Sequence, residues 1–175
     1  MNQKYIITGA PGTGKTAIIN ALKKEGYSCA EEISRTIITK AIASGGDTLP
    51  WKNLAAFSQQ VIALRKAQHT NAPKDITHFF DRGIIDVIAY LKHDKLAVNN
   101  DIIEIVKKSP YNKTVFYTPM WEEIYTNDSE RKEDIITAKN IENVLLTTYQ
   151  SFGYTLVAVP KLPVNERAAF ILSKI

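Results

Sequence analysis

One segment near the beginning of the chain has the residue types and spacing of a phosphate-binding loop. Residues 9–16 have the sequence GAPGTGKT, which matches the pattern G-x-x-x-x-G-K-[ST]. Glycines let the backbone curl so that successive N–H groups point at phosphate oxygens, and the following helix adds the positive end of its dipole. In this pattern Lys15 supplies a mobile cation for the terminal phosphates, and the Thr16 hydroxyl is placed to bind Mg²⁺. The predicted nucleotide-binding residues are Gly9, Ala10, Pro11, Gly12, Thr13, Gly14, Lys15 and Thr16.

The second motif is an acidic residue that follows a short apolar segment in the middle of the chain. Residues 76–80 have the sequence ITHFF and end directly at Asp81, which is a loose form of the Walker B pattern. A carboxylate in this position can hold Mg²⁺ directly or through water. The alternative is that Asp81 caps the helix predicted to begin near Ile84.

The residue after that carboxylate is an arginine. Arg82 stays protonated, so it cannot act as the base that activates water in a hydrolase. It can hold an anionic substrate or the transferring phosphoryl group through bidentate hydrogen bonds, which favours transfer to an acceptor over hydrolysis. The alternative for Arg82 is an ion pair with Asp86, one turn into the helix.

Two glutamates follow the second predicted strand, at the edge of the sheet where ligands collect. Glu31 and Glu32 are candidates for a general base that takes the proton from an acceptor hydroxyl. Neighbouring strand residues face opposite sides, so we expect only one to point inward, and we favour Glu32 as the base. Glu31 is then a candidate substrate contact, as is Arg35, which can bind a substrate anion or form an ion pair. The alternative for the glutamates is an acidic first helical turn, which the helix dipole favours.

A dense run of charges precedes the sixth predicted helix. We predict a lid over residues 126–135, because a closing loop with an arginine neutralises a phosphoryl group and excludes water. Arg131 is the candidate catalytic arginine. The alternative is an ordinary solvated turn.

These side chains must be positioned by alternating strands and helices. Predicted strands cover residues 4–8, 27–30, 76–80, 113–117 and 156–159. Predicted helices cover residues 13–24, 33–44, 51–68, 84–91, 102–108 (capped by Asp101), 140–152 and a last segment after Pro163. This alternation predicts one three-layer α/β domain over residues 1–175, with a mostly parallel five-stranded sheet and helices on both faces.

Composition excludes several other classes of protein. Hydrophobic residues make up 45% of the 175 residues and charged residues 23%, which is ordinary for a globular domain. The single cysteine excludes an intramolecular disulfide and a Cys-rich zinc site. The net charge of +4 is spread along the chain, so we expect no nucleic-acid surface. With no long apolar run and no signal sequence, we expect a cytoplasmic protein without membrane contact, and a homodimer remains an open alternative.

Taken together, these motifs resemble the small bacterial AAA-type predicted ATPases. The resemblance rests on residues 9–16, the EEISR segment at 31–35, the DRG segment at 81–83 and the ending at 153–160. That family is similar to the nicotinamide riboside kinase domain and to nucleoside and nucleotide kinases. The resemblance implies a sheet of order 2-3-1-4-5, Mg-ATP as donor, a glutamate base matching Glu32 or Glu31, and an adenine framed by residues 160–164. Two features depart from the pattern of those kinases. Position 83 is glycine, where they usually have serine or an aromatic residue, and the lid has a single arginine.

The function that these residues favour is phosphoryl transfer. The leading hypothesis is a small-molecule kinase that moves the γ-phosphoryl group of Mg-ATP to an acceptor hydroxyl or phosphate, the acceptor being nucleoside- or nucleotide-like. The alternative is an ATPase or nucleotide switch that acts with a protein partner.

Overall fold

The computed structural model describes residues 3–124 and 134–175, and this part of the chain forms one sheet flanked by helices. The strands are β1 (Lys4–Thr8), β2 (Ser28–Ala30), β3 (His78–Asp81), β4 (Thr114–Tyr117) and β5 (Thr155–Ala158). The α-helices are α1 (Lys15–Lys24), α2 (Ser34–Ala43), α3 (Leu54–Asn71), α4 (Ile84–His93), α5 (Asn100–Lys108), α6 (Ile135–Ser151) and α7 (Val164–Leu172). A short 3-10 helix covers Glu122–Ile124. None of the helices in this part of the chain has the length and apolarity needed to span a bilayer.

The sheet has the order β2-β3-β1-β4-β5, and each neighbouring pair of strands is parallel. The expected order 2-3-1-4-5 is therefore confirmed. Successive residues of a strand point to opposite faces, so each central strand contributes to two cores. Ile6 and Phe80 pack with apolar residues of α2 to α6. Ile7 and Phe79 pack with α1 and α7 on the other face.

Several predicted boundaries are wrong by two to five residues, and hydrogen-bonding caps account for the differences. Asn53 caps α3 by accepting a hydrogen bond from the Ala56 N–H at 3.0 Å, so this helix begins at Leu54 rather than at Trp51. Asn99, not Asp101, caps α5. Asp134 caps α6, which therefore begins five residues before the predicted start.

The acidic strand end also differs from the sequence interpretation. Asp81 is the last residue of β3, and Gly83 is the residue that precedes α4. The Gly83 N–H donates to the Asp86 carboxylate at 2.8 Å, so Asp86 supplies the side-chain contact at this helix start. The alternative that Asp81 caps the helix is therefore wrong, and its carboxylate is available to the site.

Candidate functional site

The loop between β1 and α1 adopts a curled backbone that depends on glycine. Gly9 and Gly14 have φ angles of +144° and +82°, which L side chains rarely adopt. A Cβ at Gly9 would lie 2.4 Å from the Thr118 hydroxyl oxygen, so there is also no space for a side chain. The loop is closed by the Thr13 hydroxyl, which contacts the Thr118 hydroxyl at 2.5 Å. In phosphate-binding loops a curled backbone of this kind presents several N–H groups to one anion.

Lys15 lies folded against this loop. Its ammonium group donates to the Ala10 carbonyl at 2.7 Å, and the residue is only 6% exposed. Burial and the nearby Arg82 guanidinium lower the pKa of Lys15 to about 7, although Asp81 and Asp86 oppose the shift. A phosphate group beside this ammonium favours its charged form, since an opposite charge within a few ångströms stabilises an ion.

Thr16 and Asp81 form a pair at the beginning of α1 and the end of β3. The Thr16 hydroxyl donates to Asp81 Oδ2 at 2.8 Å. The other carboxylate oxygen, Oδ1, is buried and has no hydrogen-bond partner among the described residues. Burial raises the pKa of Asp81, with Lys15 and Arg82 opposing. A hydroxyl beside a carboxylate with one oxygen unpaired fits Mg²⁺, which takes one or two protein oxygens and completes its shell with water and substrate phosphates.

Arg82 is held by a buried network centred on Asp86. Arg82 has a positive φ of 72°, uncommon for a residue with a side chain, and lies over the Tyr90 ring at 5.5 Å. Its guanidinium donates to the Asp86 carboxylate at 3.3 Å, so the ion pair anticipated as an alternative is present. Asp86 also accepts from the Thr8 hydroxyl at 2.6 Å and the Tyr149 hydroxyl at 2.5 Å. Arg82 nevertheless lines the main cavity, so the ion pair and a substrate contact are compatible.

Replacing Asp86 by alanine is expected to destabilise the fold by about 3–5 kcal/mol, because the buried Arg82 charge and two hydroxyl groups lose their acceptor. Urea unfolding followed by circular dichroism measures this loss. The matched control is alanine at Asp75, which is exposed, and we expect it to change the free energy of unfolding by less than about 0.5 kcal/mol. Equal stability of the two variants would show that the Asp86 network contributes little.

The two glutamates after β2 have different surroundings. Glu32 accepts hydrogen bonds from the N–H groups of Ser34 at 3.0 Å and Arg35 at 2.9 Å, so the helix-start alternative is also realised. Its carboxylate pairs with Arg65 at 3.2 Å and lines the main cavity. Burial would raise the pKa of Glu32, but Arg65, Arg82 and the two N–H groups outweigh it and lower the pKa.

Glu31 points elsewhere. Its side chain is 73% exposed and forms an ion pair with Lys23 of α1. It borders a smaller cavity of about 260 Å³ on the side of Thr16 and Asp81, but it is absent from the lining of the main cavity. Of the two glutamates, Glu32 is therefore the one that faces the main cavity, and the substrate contact predicted for Glu31 has no counterpart there.

Arg65 also belongs to the site, although we did not predict it from the sequence. It is 2% exposed and donates to the backbone carbonyl oxygens of Gly83 at 3.2 Å and Asp81 at 3.4 Å as well as to Glu32. Leu64, the apolar residue directly before it, is 45% exposed. Arg65 follows Val61 by four residues and is therefore in phase with the apolar residues of this helix. That position could have identified it as a buried arginine from the sequence.

These groups surround one cavity of about 740 Å³. The phosphate loop, Lys15 and Thr16 line one part, with Glu32, Arg35, Asp81 and Arg82 beside them. The remaining part is lined mainly by apolar and aromatic residues, which are Ile38, Trp51, Leu54, Phe57, Val61, Val87 and Tyr90. A cavity of this size, with a polar end and an apolar wall, accommodates a small organic molecule next to the phosphate loop.

The predicted lid lies largely outside the described residues. Arg131 and residues 125–133 are not described, so the catalytic role of Arg131 stays a prediction. Of the predicted lid, Asp134 and Ile135 are described, and Asp134 lines the main cavity.

Known families and solved structures share this fold. Residues 4–167 match the model of a family described as an AAA domain. Deoxyadenosine kinase from M. mycoides with bound dATP superposes with a TM-score of 0.71 at 16% identity, and the match covers 98% of each chain. Thymidylate kinase from Candida albicans gives a TM-score of 0.67 at 16% identity, covering 99% of this chain and 91% of that chain.

A further structural relative is longer. The NadR protein in complex with NR has a TM-score of 0.70 at 14% identity, and the match covers 98% of this chain but 49% of that chain. Among curated proteins, a sequence search gives no significant match. At these identities the structural likeness establishes the fold, which is that of the P-loop kinases.

Proposed function

This chain belongs to the AAA domain family, and from that premise we propose that it is a kinase that transfers the γ-phosphoryl group of ATP to a small nucleoside- or nucleotide-like acceptor. The observation that carries the proposal is the main cavity, which is lined both by the phosphate loop with Glu32, Asp81 and Arg82 and by apolar and aromatic side chains. A hydrolase needs only a water beside the phosphate. The apolar wall offers space and contacts for a larger acceptor.

The residues around the phosphate loop have separate roles in this proposal. Lys15 and Arg82 would offset negative charge on the transferring group, which is the main task of the protein in phosphoryl transfer. Thr16 and Asp81 would hold Mg²⁺, which when bound neutralises charge on the phosphates. Arg35 lines the same cavity, and we propose that it contacts the acceptor.

Glu32 is the proposed general base. For an acceptor hydroxyl, the oxygen forms a bond to the γ-phosphorus while the bond from that phosphorus to the β–γ bridging oxygen breaks. The electron pair of the broken bond leaves with ADP, and the hydroxyl proton goes to the Glu32 carboxylate. An ionised carboxylate is required at the start, and the lowered pKa of Glu32 supplies it at neutral pH.

The structural relatives support the class of acceptor. A deoxyadenosine kinase, a thymidylate kinase and NadR with bound NR share the fold over 98–99% of this chain. Their names point to nucleosides and nucleotides as the first compounds to test. A cytoplasmic location and a homodimer remain predictions.

The test is a transfer assay with ATP labelled in the γ-phosphoryl group, Mg²⁺ and a panel of nucleosides, nucleoside monophosphates and other small alcohols. We expect label to appear on at least one acceptor and ADP to form in equal amount. Protein with Lys15 replaced by methionine is the matched blank, because any contaminating kinase would survive that change. Slow phosphate release that no acceptor accelerates would contradict the kinase proposal and favour the alternative, an ATPase that acts with a protein partner.

A further inference from the structure

An arginine on the last helix reaches the phosphate loop from the other end of the chain. Arg167 lies in α7 and is 2% exposed. One of its terminal nitrogens, Nη2, donates to the Thr13 carbonyl oxygen at 2.9 Å. The other, Nη1, would lie 2.7 Å from a Cβ at Gly14, so the guanidinium is packed against the loop itself.

This guanidinium has no carboxylate to balance its charge among the described residues. Its described contacts are the Thr13 carbonyl and the Trp121 ring, whose centre lies 5.8 Å away. The third nitrogen, Nε, is buried without a hydrogen-bond partner in the described part of the chain. Burial lowers the pKa of Arg167, and no charge in the described part of the chain contributes to that shift. Arginine still stays protonated in proteins, so a positive charge is kept in the interior.

A buried charge without a counter-ion is costly, and it needs an opposite charge to offset the cost. The arginines elsewhere in the site differ in this respect, because Arg65 pairs with Glu32 and Arg82 pairs with Asp86. Within residues 3–124 and 134–175, Arg167 has no such carboxylate partner, and the loop it contacts is the one that binds phosphate in the proposed function.

The contact also suits the geometry of the loop. N–H groups of the loop make the phosphate contacts, whereas Arg167 holds a carbonyl group of the same loop. It therefore fixes the orientation of the Thr13–Gly14 peptide without competing for the ligand's oxygens. The helix that carries it is fixed in turn, because Ala168 and Ile171 are buried in the core shared with α1.

We propose that Arg167 is a positioning residue for the phosphate loop and a further positive charge, besides Lys15 and Arg82, that attracts the triphosphate. The proposal rests on nucleotide binding as proposed above. It concerns the affinity for the phosphate chain and is independent of the identity of the acceptor.

The experiment measures binding by calorimetry with three probes, which are Mg-ATP, inorganic tripolyphosphate and adenosine. Arg167→Gln removes the charge and leaves an uncharged N–H donor on a shorter side chain, whereas Arg167→Lys keeps the charge. We expect the glutamine variant to bind ATP and tripolyphosphate about ten- to a hundredfold more weakly and adenosine unchanged. The lysine variant is expected to lose less affinity than the glutamine variant, because it keeps the charge although it lacks the planar guanidinium.

Lys174→Met is the control. It also removes one positive charge, but Lys174 is exposed and lies just beyond the same helix. We expect it to bind all probes as the wild type does. Equal ATP and tripolyphosphate affinities for the glutamine variant and the wild type would overturn the proposal. A loss for ATP and adenosine but not for tripolyphosphate would also overturn it, because it would assign Arg167 to the nucleoside. If the wild type itself bound neither ATP nor tripolyphosphate, the proposed function would fail instead.

Discussion

Replacing Lys15 by methionine is expected to lower kcat for phosphoryl transfer by about 100- to 1000-fold, the loss typical for one donor that stabilises developing charge. The ammonium group of Lys15 lies inside the loop, on the Ala10 carbonyl, where an unbranched apolar side chain of similar length fits in its place. The change removes a cation from the phosphate site and leaves the surrounding glycines untouched. Quench-flow measurement of labelled product under single-turnover conditions gives the rate of the chemical step directly.

Measuring the free energy of unfolding distinguishes a loss of catalysis in the Lys15 variant from a loss of folded protein. Because burial lowers the pKa of Lys15 to about 7, its charged form is disfavoured in the fold, and methionine removes that cost. The free energy of unfolding without nucleotide is therefore expected to stay the same or to rise. Methionine at Lys24, an exposed residue of the same helix, is the matched control and should leave kcat unchanged. A Lys15 variant that turns over within threefold of the wild type would remove this residue from the mechanism.

The fold followed from the sequence because its elements carry local signals. The strands are short apolar runs, the helices alternate with them, and a parallel sheet is the arrangement that this alternation favours. Boundaries were less predictable, since they depend on which polar residue caps the helix. Asn99 rather than Asp101 caps α5, and Asn53 caps α3 so that this helix begins at Leu54 rather than at the predicted Trp51. Both caps rest on a side-chain hydrogen bond that periodicity does not reveal.

Much of the candidate site was predictable for a topological reason. The carboxyl ends of parallel strands meet at one edge of a sheet, so Glu32 after β2 and Asp81 at the end of β3 line one cavity with the phosphate loop after β1. The choice between Glu31 and Glu32 needed coordinates. It depends on two ion pairs: Glu31 pairs with Lys23 at the surface, and Glu32 pairs with the buried Arg65.

Contacts between distant parts of the chain were not predictable. Arg167 donates to a carbonyl 154 residues earlier, and Tyr149 donates to Asp86 across 63 residues. No periodicity within α6 or α7 indicates such partners, because they are set by how the helices pack. In the sequence, such contacts are indicated only by an arginine at a helix position where the periodicity favours an apolar residue.

Replacing Glu32 by glutamine is expected to lower kcat by up to about 1000-fold, within the range for removal of a general base. Glutamine has the same shape and its oxygen can still accept from the N–H groups of Ser34 and Arg35, but it cannot take a proton from the acceptor. ATP affinity is expected to change little, because the described hydrogen bonds of Glu32 go to Ser34, Arg35 and Arg65 and not to the phosphate loop. Single-turnover transfer and calorimetric titration with Mg-ATP measure the two quantities separately.

Comparison with the neighbouring residue decides between the two candidate bases. Glu31→Gln removes an exposed carboxylate that is paired with Lys23, so we expect it to keep most of the turnover. Glutamine at Glu25, which is exposed at the end of α1, controls for the change of charge alone. If the Glu31 variant lost as much activity as the Glu32 variant, or if the Glu32 variant kept full turnover, Glu32 would not be the base.

The pH dependence of kcat tests the same assignment from another direction. Burial would raise the pKa of Glu32, yet Arg65 and Arg82 outweigh it, so the carboxylate stays ionised below the ordinary glutamate range. A base must be ionised to accept a proton, so kcat should be constant from neutral pH downward and fall only as the pH drops through this lowered pKa. Replacing Arg65 by methionine removes the first of the two opposing charges, and the fall should then begin at a higher pH. A profile that did not move with Arg65 would show that another group controls the acid side of the reaction.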